Sequence, residues 1–450
     1  MGSFKETWYG GYSVVNHLRT FGFSGKIYPV NPSYDRVFDL PVYPSMKEVP
    51  EAVDLAVIIT PRDAVPEVLE ECAQNGVRAA IVTSDGFAER DEKGAELQGR
   101  IVSIAKRSSM RLLGPNTIGT ANTATGLVTT HFATHYQRMK KGSIAFCAQS
   151  GIAGVQAFPL EDTQYPFGKV CDFGNKCDAN EVDLLAYLGD DTDTSVIALH
   201  IEDVKDGQRF LSMARDVVQK KPVLVIKPGK TEEVKKALRA HTGALAGEDR
   251  VYDAAFKQTG MIRLENFEQL LDCSKAFAFQ PLPKNNHVAI VTTSGGLGMF
   301  AIDAAIRNGM VLAKLSDDSL KSLGEMSPTL ASNPIDILTT TLAFRDILNL
   351  YEKTIEIALC DDGVGSVAVI IFEAIFTTMG NQDEIVEVFC RLRRFGKPIT
   401  IWIYGQSLSA IRDLSLRFED EGFPVYSDFW TAIQALAVMS KYSAIRQNLA

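Results

Sequence analysis

The chain has 450 residues, of which 46% are hydrophobic and 22% charged, and its net charge is -9. This balance is that of a globular protein, and the length predicts two to four domains of roughly 100–200 residues each. No basic run and no apolar run of ~20 residues is present, which argues against nucleic acid and against a membrane as partners. The seven cysteines are scattered without a metal-ligand spacing, so we expect reduced thiols, a cytoplasmic protein and no metal site.

Short β-branched runs alternate with amphipathic stretches throughout the chain. This alternation predicts βαβ units and parallel sheets, and therefore an α/β fold. We expect three domains, at residues 1–127, 128–280 and 284–450, with a proline-containing linker before the third.

In the first block, Tyr12–Leu18 is predicted to be a helix that follows Gly10-Gly11. Predicted strands at 26–30, 53–59, 78–83 and 111–113 each end in turn residues. Ligands of open α/β sheets bind at the carboxyl ends of the strands. The turns there contain Asn31, Pro32, Thr60, Pro61, Gly86, Phe87 and Asn116.

In the second block, a buried strand at 143–147 is followed by a turn, Ser150-Gly151-Ile152, that opens a helix. Bare amide N–H groups at a positive helix end form a phosphate site, although an ordinary tight turn has the same pattern. Glu202 follows another predicted strand. Its carboxylate could orient an imidazole or could simply be a surface acid. Asn175 and Asp178 precede a helix, where acids also serve as caps.

His241 lies in a loop of small residues at 240–247. Imidazole is a good nucleophile near neutral pH and can carry a phosphoryl group, whereas the alternative is a capping or surface histidine. His131 and His135 have a metal-like spacing but lack a third ligand, so we expect both to be solvated.

The third block opens with a strand at 287–292, the turn Ser294-Gly295-Gly296-Leu297-Gly298 and a helix. Together with Asp317 and Asp318, this run has the form of a dinucleotide fingerprint. It is equally a helix start at which a phosphate can bind.

Several stretches resemble the NDP-forming acyl-CoA synthetases, which are relatives of succinyl-CoA synthetase. The His241 loop is one, and the others are the runs at 28–32, 114–116, 149–154, 174–178 and 294–298. The resemblance implies a Rossmann-like CoA-binding domain followed by two flavodoxin-like ligase domains, as in the α-subunit type. The family begins with an additional strand and a phosphate-binding loop, so we expect the first strand to be missing here.

The resemblance also implies the site. His241 would be phosphorylated and Glu202 would orient it, while Ser150, Gly151, Ile152, Ser294, Gly295 and Gly296 would bind the phosphoryl group. Asn31, Pro32, Thr60, Pro61, Gly86 and Phe87 would bind coenzyme A, and Asn116, Asn175 and Asp178 would shape the substrate pocket. The chain departs from the family at Asp203, where glycine is usual, and at Ala148, where serine is usual.

The implied reaction converts a small carboxylic acid, coenzyme A and ATP into an acyl-CoA, ADP and phosphate. The nucleotide and Mg2+ would be held by an ATP-grasp β subunit, because this chain shows no such module. Two alternatives remain, a non-catalytic sensor of CoA or acyl-CoA and an NAD(P)-dependent oxidoreductase that uses Gly296 and Gly298.

Overall fold

The computed structural model describes residues 1–135, 137–151, 164–234, 248–337, 347–377 and 381–449. These residues fall into two compact units, one formed largely by residues up to Glu265 and the other largely by residues from Asn266 onwards. Among the described residues, no helix has both the length and the apolar character needed to cross a membrane.

The first unit begins with a small parallel sheet flanked by helices. Its strands are β3 (Leu55–Ile58), β4 (Ala79–Val82) and β5 (Arg111–Leu113), paired in that order, and a hairpin of β1 (Arg36–Val37) and β2 (Leu40–Pro41) lies apart from them. The helices are α1 (Gly11–Thr20), α2 (Val65–Gln74) and α3 (Glu92–Ser108), with 3-10 turns at Met46–Glu48 and Arg62–Ala64. Ile58, Leu69 and Ile104 are fully buried in the core between strands and helices.

The structure confirms one expectation for this region and contradicts another. The predicted helix is present as α1, but the predicted strand at 26–30 is wrong, because only Val30 pairs, in a single bridge with Tyr43. Gly2 instead forms a parallel bridge with Ile59, next to β3. The segment at 26–30 therefore has no neighbouring strand on its other side to complete a ladder.

The same unit continues with a seven-stranded sheet in the order β12-β11-β10-β8-β9-β6-β7. Its parallel strands are β8 (Ile144–Ala148), β9 (Phe167–Asp172), β10 (Val196–His200), β11 (Val223–Ile226) and β12 (Ile262–Arg263), and β6 (Thr120–Asn122) and β7 (Leu127–Val128) are antiparallel additions. Helices α4 (Glu181–Asp190), α5 (Gly207–Lys220) and α6 (Asp249–Thr259) connect them. Every residue of β8 through β11 is buried, as expected for strands covered on both faces.

The second unit contains another doubly wound sheet, with the order β14-β13-β16-β17-β18 and with β15 paired to β13. The strands are β13 (His287–Thr292), β14 (Val311–Leu312), β15 (Ile335–Asp336), β16 (Ser366–Phe372), β17 (Ile399–Tyr404) and β18 (Val425–Tyr426). The helices are α7 (Phe267–Phe279), α8 (Gly295–Arg307), α9 (Asp317–Met326), α10 (Ile347–Cys360), α11 (Ala374–Thr377), α12 (Gln382–Leu392), α13 (Leu408–Asp420) and α14 (Phe429–Leu449), with 3-10 turns at Pro328–Leu330 and Arg393–Phe395. Both large sheets have the flavodoxin-like order, so the predicted α/β class and the two predicted flavodoxin-like folds are confirmed.

Candidate functional site

The carboxyl ends of β8 and β10 are neighbours, and the strand order of the sheet reverses between these two strands. From β8 the chain continues to β9 on one side, and then to β10, β11 and β12 on the other side. Ligands of doubly wound sheets bind at such a switch point. Ser150 follows β8 and Glu202 follows β10, so the structure brings these two predicted residues to the same point.

Gln149 connects the two strand ends at this point. Its side-chain oxygen accepts hydrogen bonds from the backbone N–H groups of Glu202 at 2.8 Å and Asp203 at 3.2 Å. Its amide nitrogen donates to the Asp203 carboxylate at 2.6 Å. These three hydrogen bonds fix the backbone at Glu202, a residue that is only 3% exposed.

Lys176 is a second fixed point of the site, and it had not been singled out from the sequence. Its fully buried ammonium group lies 2.6 Å from one carboxylate oxygen of Asp203 and 3.0 Å from a carboxylate oxygen of Glu181, and it donates to the Asp203 carbonyl at 2.8 Å. Burial raises the pKa of Asp203, but Lys176 and Gln149 outweigh it and hold that pKa below its usual value. Asp203, where the resemblance expects glycine, is therefore an anchor for Lys176.

Asp172, at the end of β9, is a buried carboxyl group close to the same point. It accepts hydrogen bonds from the backbone N–H groups of Ile118 at 2.7 Å and Gly174 at 3.2 Å. Burial raises its pKa to about 7, an effect that the neighbouring charge of Glu202 reinforces. Asp172 thus joins the switch point to the loop that contains Asn116.

Basic groups at this edge are partly desolvated. Burial lowers the pKa of Lys227, which follows β11 and lies 4.3 Å from the ring centroid of Tyr252. Burial also lowers the pKa of Lys205, which donates to the carbonyl oxygens of Asn175 and Lys176. Positive charge beside the carboxylates is suited to a phosphorylated or carboxylate ligand.

The predicted CoA-binding turns of the small sheet also share one edge. The Ser84 hydroxyl donates to the carbonyl oxygen of Thr60, and the Asn116 N–H donates to the carbonyl oxygen of Ser84 at 2.9 Å. Pro61 and Pro32 are exposed, and the Asn31 side chain donates to the Gly2 carbonyl oxygen at 2.8 Å. A ligand along this edge would meet the turns after β3, β4 and β5 together.

Glu89 occupies the amides of one of these turns. Its carboxylate accepts the N–H groups of Gly86 at 2.6 Å and Phe87 at 3.0 Å, and its other oxygen accepts from the Asn175 side chain at 2.5 Å. The Phe87 ring is fully buried in the domain core. A ring in the core leaves only the backbone of Phe87 for the predicted contact with coenzyme A.

The stretch from Gly174 to Asp178 connects the two sheets of this unit. Gly174 has φ +52°, and an added Cβ would lie 2.4 Å from the carbonyl oxygens of Pro115 and Asn116. Asn175 lies 3.4 Å from the Asn116 side chain, whereas Asp178 accepts from Arg111 at 2.9 Å and from the Leu112 N–H at 2.8 Å. Asn116 and Asn175 therefore meet, while Asp178 is bound to β5.

In the second unit, Ser294 caps α8 by accepting from the Leu297 N–H at 3.4 Å. An added Cβ on Gly295 would lie 2.9 Å from a carboxylate oxygen of Asp336, whereas the nearest atom to one on Gly296 is the Ser294 hydroxyl at 3.9 Å. An anion can therefore approach this helix end over Gly296, on the side away from Asp336.

Two predicted residues, His241 and Ile152, lie outside the described residues. The residues missed from the sequence are Gln149, Asp172, Lys176, Lys205 and Lys227. The run at 174–178 contains a signal that could have identified Lys176, because a lysine among acids just before a helix is a ready ion-pair partner. His131 is half-buried rather than solvated, and burial lowers its pKa.

Comparison with known proteins shows which families the chain resembles. Residues 2–123 match the CoA binding domain family, and residues 141–277 match the succinyl-CoA ligase like flavodoxin domain family. The chain is 36% identical over 441 residues to acetate–CoA ligase (ADP-forming) II of Archaeoglobus fulgidus, with 97% of this chain and 64% of that protein covered. It thus spans less than two thirds of that relative's length.

Two further similarities extend over almost the whole of both chains. The chain is 34% identical over 440 residues to acetate–CoA ligase (ADP-forming) II subunit alpha of Pyrococcus furiosus, with 96% of this chain and 93% of that one covered. The dinucleotide forming acetyl-coenzyme A synthetase 1 of Ca. Korarchaeum cryptofilum, solved with phosphate and ADP, superposes with a TM-score of 0.87 at 29% identity, covering 98% of this chain and 93% of that one. The chain therefore belongs to the ADP-forming acyl-CoA synthetase family and has the domain order of its α-subunit type.

Proposed function

We propose that this chain is the catalytic α-type subunit of an enzyme that converts a carboxylic acid, coenzyme A and ATP into an acyl-CoA, ADP and phosphate. The main support is the position of Glu202, a buried carboxylate that Gln149 holds at the switch point beside the Ser150 turn. The relatives are named ADP-forming acetate–CoA ligases, so acetate or another small acid is the proposed substrate.

The proposed chemistry passes through His241. ATP transfers its γ-phosphoryl group to a ring nitrogen and leaves as ADP, and the substrate carboxylate then takes the phosphoryl group to form an acyl phosphate. The CoA thiolate attacks the acyl carbon, and phosphate leaves. Glu202 would hydrogen-bond the other ring nitrogen, which fixes the tautomer and stabilises positive charge on the ring.

The helix start that the sequence predicts at Ser150-Gly151-Ile152, and the start of α8 at Ser294-Gly295-Gly296, would offset the phosphoryl charge with backbone N–H groups. Coenzyme A would lie along the edge that carries Asn31, Pro32, Thr60, Pro61, Gly86 and Phe87. Asn116, Asn175 and Asp178 would shape the acid pocket. An ATP-grasp β subunit would supply the nucleotide with its Mg2+, since the Pyrococcus relative is a subunit alpha by name.

Phosphorylation of the purified chain tests this proposal without the partner. We expect the chain to take up label from 32P-labelled acetyl phosphate, or from acetyl-CoA with labelled phosphate, in an acid-labile and base-stable form. His241→Ala should abolish the label, and His135→Ala, at an exposed histidine, should retain it. Glu202→Gln should slow labelling by about 10–100-fold.

Equal labelling of His241→Ala and wild type would refute the phosphohistidine. An unlabelled chain that still binds acetyl-CoA would instead identify a sensor of acyl-CoA. Heat release on titration with NADH but not with CoA would favour the oxidoreductase.

A further inference from the structure

The Gly86-Phe87 turn of the predicted CoA edge has its backbone polar groups bound within the fold. The N–H groups of Gly86 and Phe87 donate to one carboxylate oxygen of Glu89, at 2.6 and 3.0 Å. The Gly86 carbonyl oxygen accepts from the Arg62 side chain, and the Phe87 carbonyl oxygen accepts from the Arg90 N–H at 3.0 Å. Both residues of the turn are buried. The position of the turn therefore depends on the side chain of Glu89.

Glu89 also reaches the predicted acid pocket. Its second carboxylate oxygen accepts from the Asn175 amide nitrogen at 2.5 Å, and the Gln98 side-chain oxygen accepts from the same nitrogen at 3.0 Å. An amide nitrogen carries two N–H groups, so both of those of Asn175 are used. Its oxygen accepts from the Asn116 amide nitrogen at 3.4 Å. Asn175 therefore orients Asn116, whose other N–H group is left for an acid.

The backbone of Asn175 is fixed independently of its side chain. Its N–H donates to the Pro115 carbonyl oxygen at 2.9 Å, and its carbonyl oxygen accepts from the Lys205 ammonium group at 2.8 Å. A fixed backbone leaves the side chain as the part that responds when Asn116 turns. That response passes to the acceptors of the side chain, one of which is Glu89.

The connection from Asn116 to the turn has one weak member. The hydrogen bonds of Glu89 are 2.5 to 3.0 Å long, whereas the contact of Asn116 with Asn175 is 3.4 Å, close to the limit for a hydrogen bond. Hydrogen bonds at binding sites are often long in the free protein and shorten around the ligand. An acid held by Asn116 would shorten this contact and order Asn175 and Glu89. Coenzyme A would then bind without ordering them again.

The charge of Glu89 makes the link easy to cut selectively. Its carboxylate forms no ion pair with a lysine or arginine of the described residues, and three N–H groups hold it. Hydrogen bonds to a carboxylate are roughly twice as strong as neutral ones. Glutamine in this position retains an oxygen for the two turn amides but presents an N–H group to the N–H group of Asn175. Glu89→Gln therefore keeps the turn and breaks the link.

We propose that Glu89 is a positioning residue that couples the acid pocket to the CoA edge, so that a bound carboxylic acid strengthens the binding of coenzyme A. The acid orders Asn116 and Asn175, and Glu89 transmits this order to the Gly86-Phe87 turn. Both ligands are those of the proposed function, on which this coupling rests. A second connection, from the Asn116 N–H to the Ser84 carbonyl oxygen at 2.9 Å, does not involve Glu89 and stays intact in Glu89→Gln.

Calorimetric titration of the full chain with coenzyme A, with and without saturating acetate, tests the coupling. In wild type, acetate should tighten the binding of coenzyme A about fivefold or more, and coenzyme A should tighten acetate by the same factor, because coupling is reciprocal. In Glu89→Gln this factor should be at least about threefold smaller, although coenzyme A alone should bind within about twofold of wild type. Glu96→Gln, at an exposed position of α3, should behave as wild type.

Amide hydrogen exchange reports the same coupling at the turn itself. Acetate should slow exchange at Gly86 and Phe87 about threefold in wild type but not in Glu89→Gln. The amides of β3 and β4 should exchange alike in both proteins, which is the control for folding. Glu89→Ala releases the turn as well, so it should also weaken the binding of coenzyme A in the absence of acetate.

Equal coupling in wild type and Glu89→Gln would overturn the role of Glu89, and so would a wild-type affinity for coenzyme A that acetate leaves unchanged. Failure of coenzyme A to bind wild type would overturn the coupling together with the predicted CoA edge. The labelling of His241 is a separate outcome. A chain that is labelled on His241 but shows no coupling overturns the coupling alone, whereas an unlabelled chain with the coupling intact refutes the phosphohistidine alone.

Discussion

Replacing Lys176 with methionine tests how the switch point is held together. The ammonium group has three oxygen partners within 3.0 Å, from Asp203 and Glu181, and Glu181 is only 1% exposed. Methionine fills similar volume but leaves two carboxylates without their cation. Breaking a buried pair in this way costs about 3–5 kcal/mol, because an uncompensated charge stays buried.

Urea unfolding of wild type and Lys176→Met, followed by circular dichroism, measures this loss. Lys176 helps to hold the pKa of Asp203 low, so its stabilising effect is present above pH about 4 and is lost as the carboxylate protonates. The difference between the proteins should therefore narrow below that pH. Lys220→Met removes an exposed pair with Asp190 and should cost much less, because solvent screens an exposed pair.

A double variant separates charge from packing. If Lys176→Met is destabilising because it leaves the buried Glu181 carboxylate without a cation, then adding Glu181→Gln should recover part of the lost stability. A loss for Lys176→Met no larger than that of Lys220→Met would refute the reasoning, and so would a loss that does not narrow below pH about 4.

Two further predictions concern neighbouring positions. The pKa of Asp172 is raised to about 7, so the folded state binds more protons than the unfolded state between pH about 4 and 7. As the pH rises through that window, the free energy of unfolding of wild type should therefore fall by up to about 4 kcal/mol relative to that of Asp172→Asn. Parallel unfolding curves for the two proteins from pH 4 to 8 would contradict a neutral Asp172. Gly174→Ala places a Cβ against two carbonyl oxygens and should destabilise by more than about 3 kcal/mol, whereas Gly76→Ala, at φ +74° with open space, should cost only about 1–2 kcal/mol in thermal melts. Equal melting temperatures for the two alanine variants would show that the loop at Gly174 yields freely.

The sequence predicted the fold class well because hydrophobic periodicity and turn residues are local signals. The turns at Ser150 and Ser294 follow buried strands, and the strands are where the pattern places them. The segment at 26–30 shows the limit. Its β-branched and aromatic residues favour a strand, but a strand also needs a paired neighbour, and pairing is decided by distant parts of the chain.

The site was predictable to the level of single motifs and no further. Glu202 and Ser150 were predicted because each follows a strand and because the family resemblance implies a role for each, and the switch point brings them together. Gln149 and Asp172 were missed because their roles depend on which strands are neighbours, as with the Gln149 bonds to Glu202 and Asp203. The roles of His241 and of the CoA-binding turns remain predictions.

The backbone at Gly2 is connected to two turns of the predicted CoA edge. The Asn31 side chain donates to the Gly2 carbonyl oxygen, and Thr60 follows Ile59, which pairs with Gly2. Both Asn31 and Thr60 are predicted to contact coenzyme A. The contacts of Gly2 fix the backbone that leads into both turns, so the order of the CoA edge depends on a residue that is not itself predicted to touch the ligand.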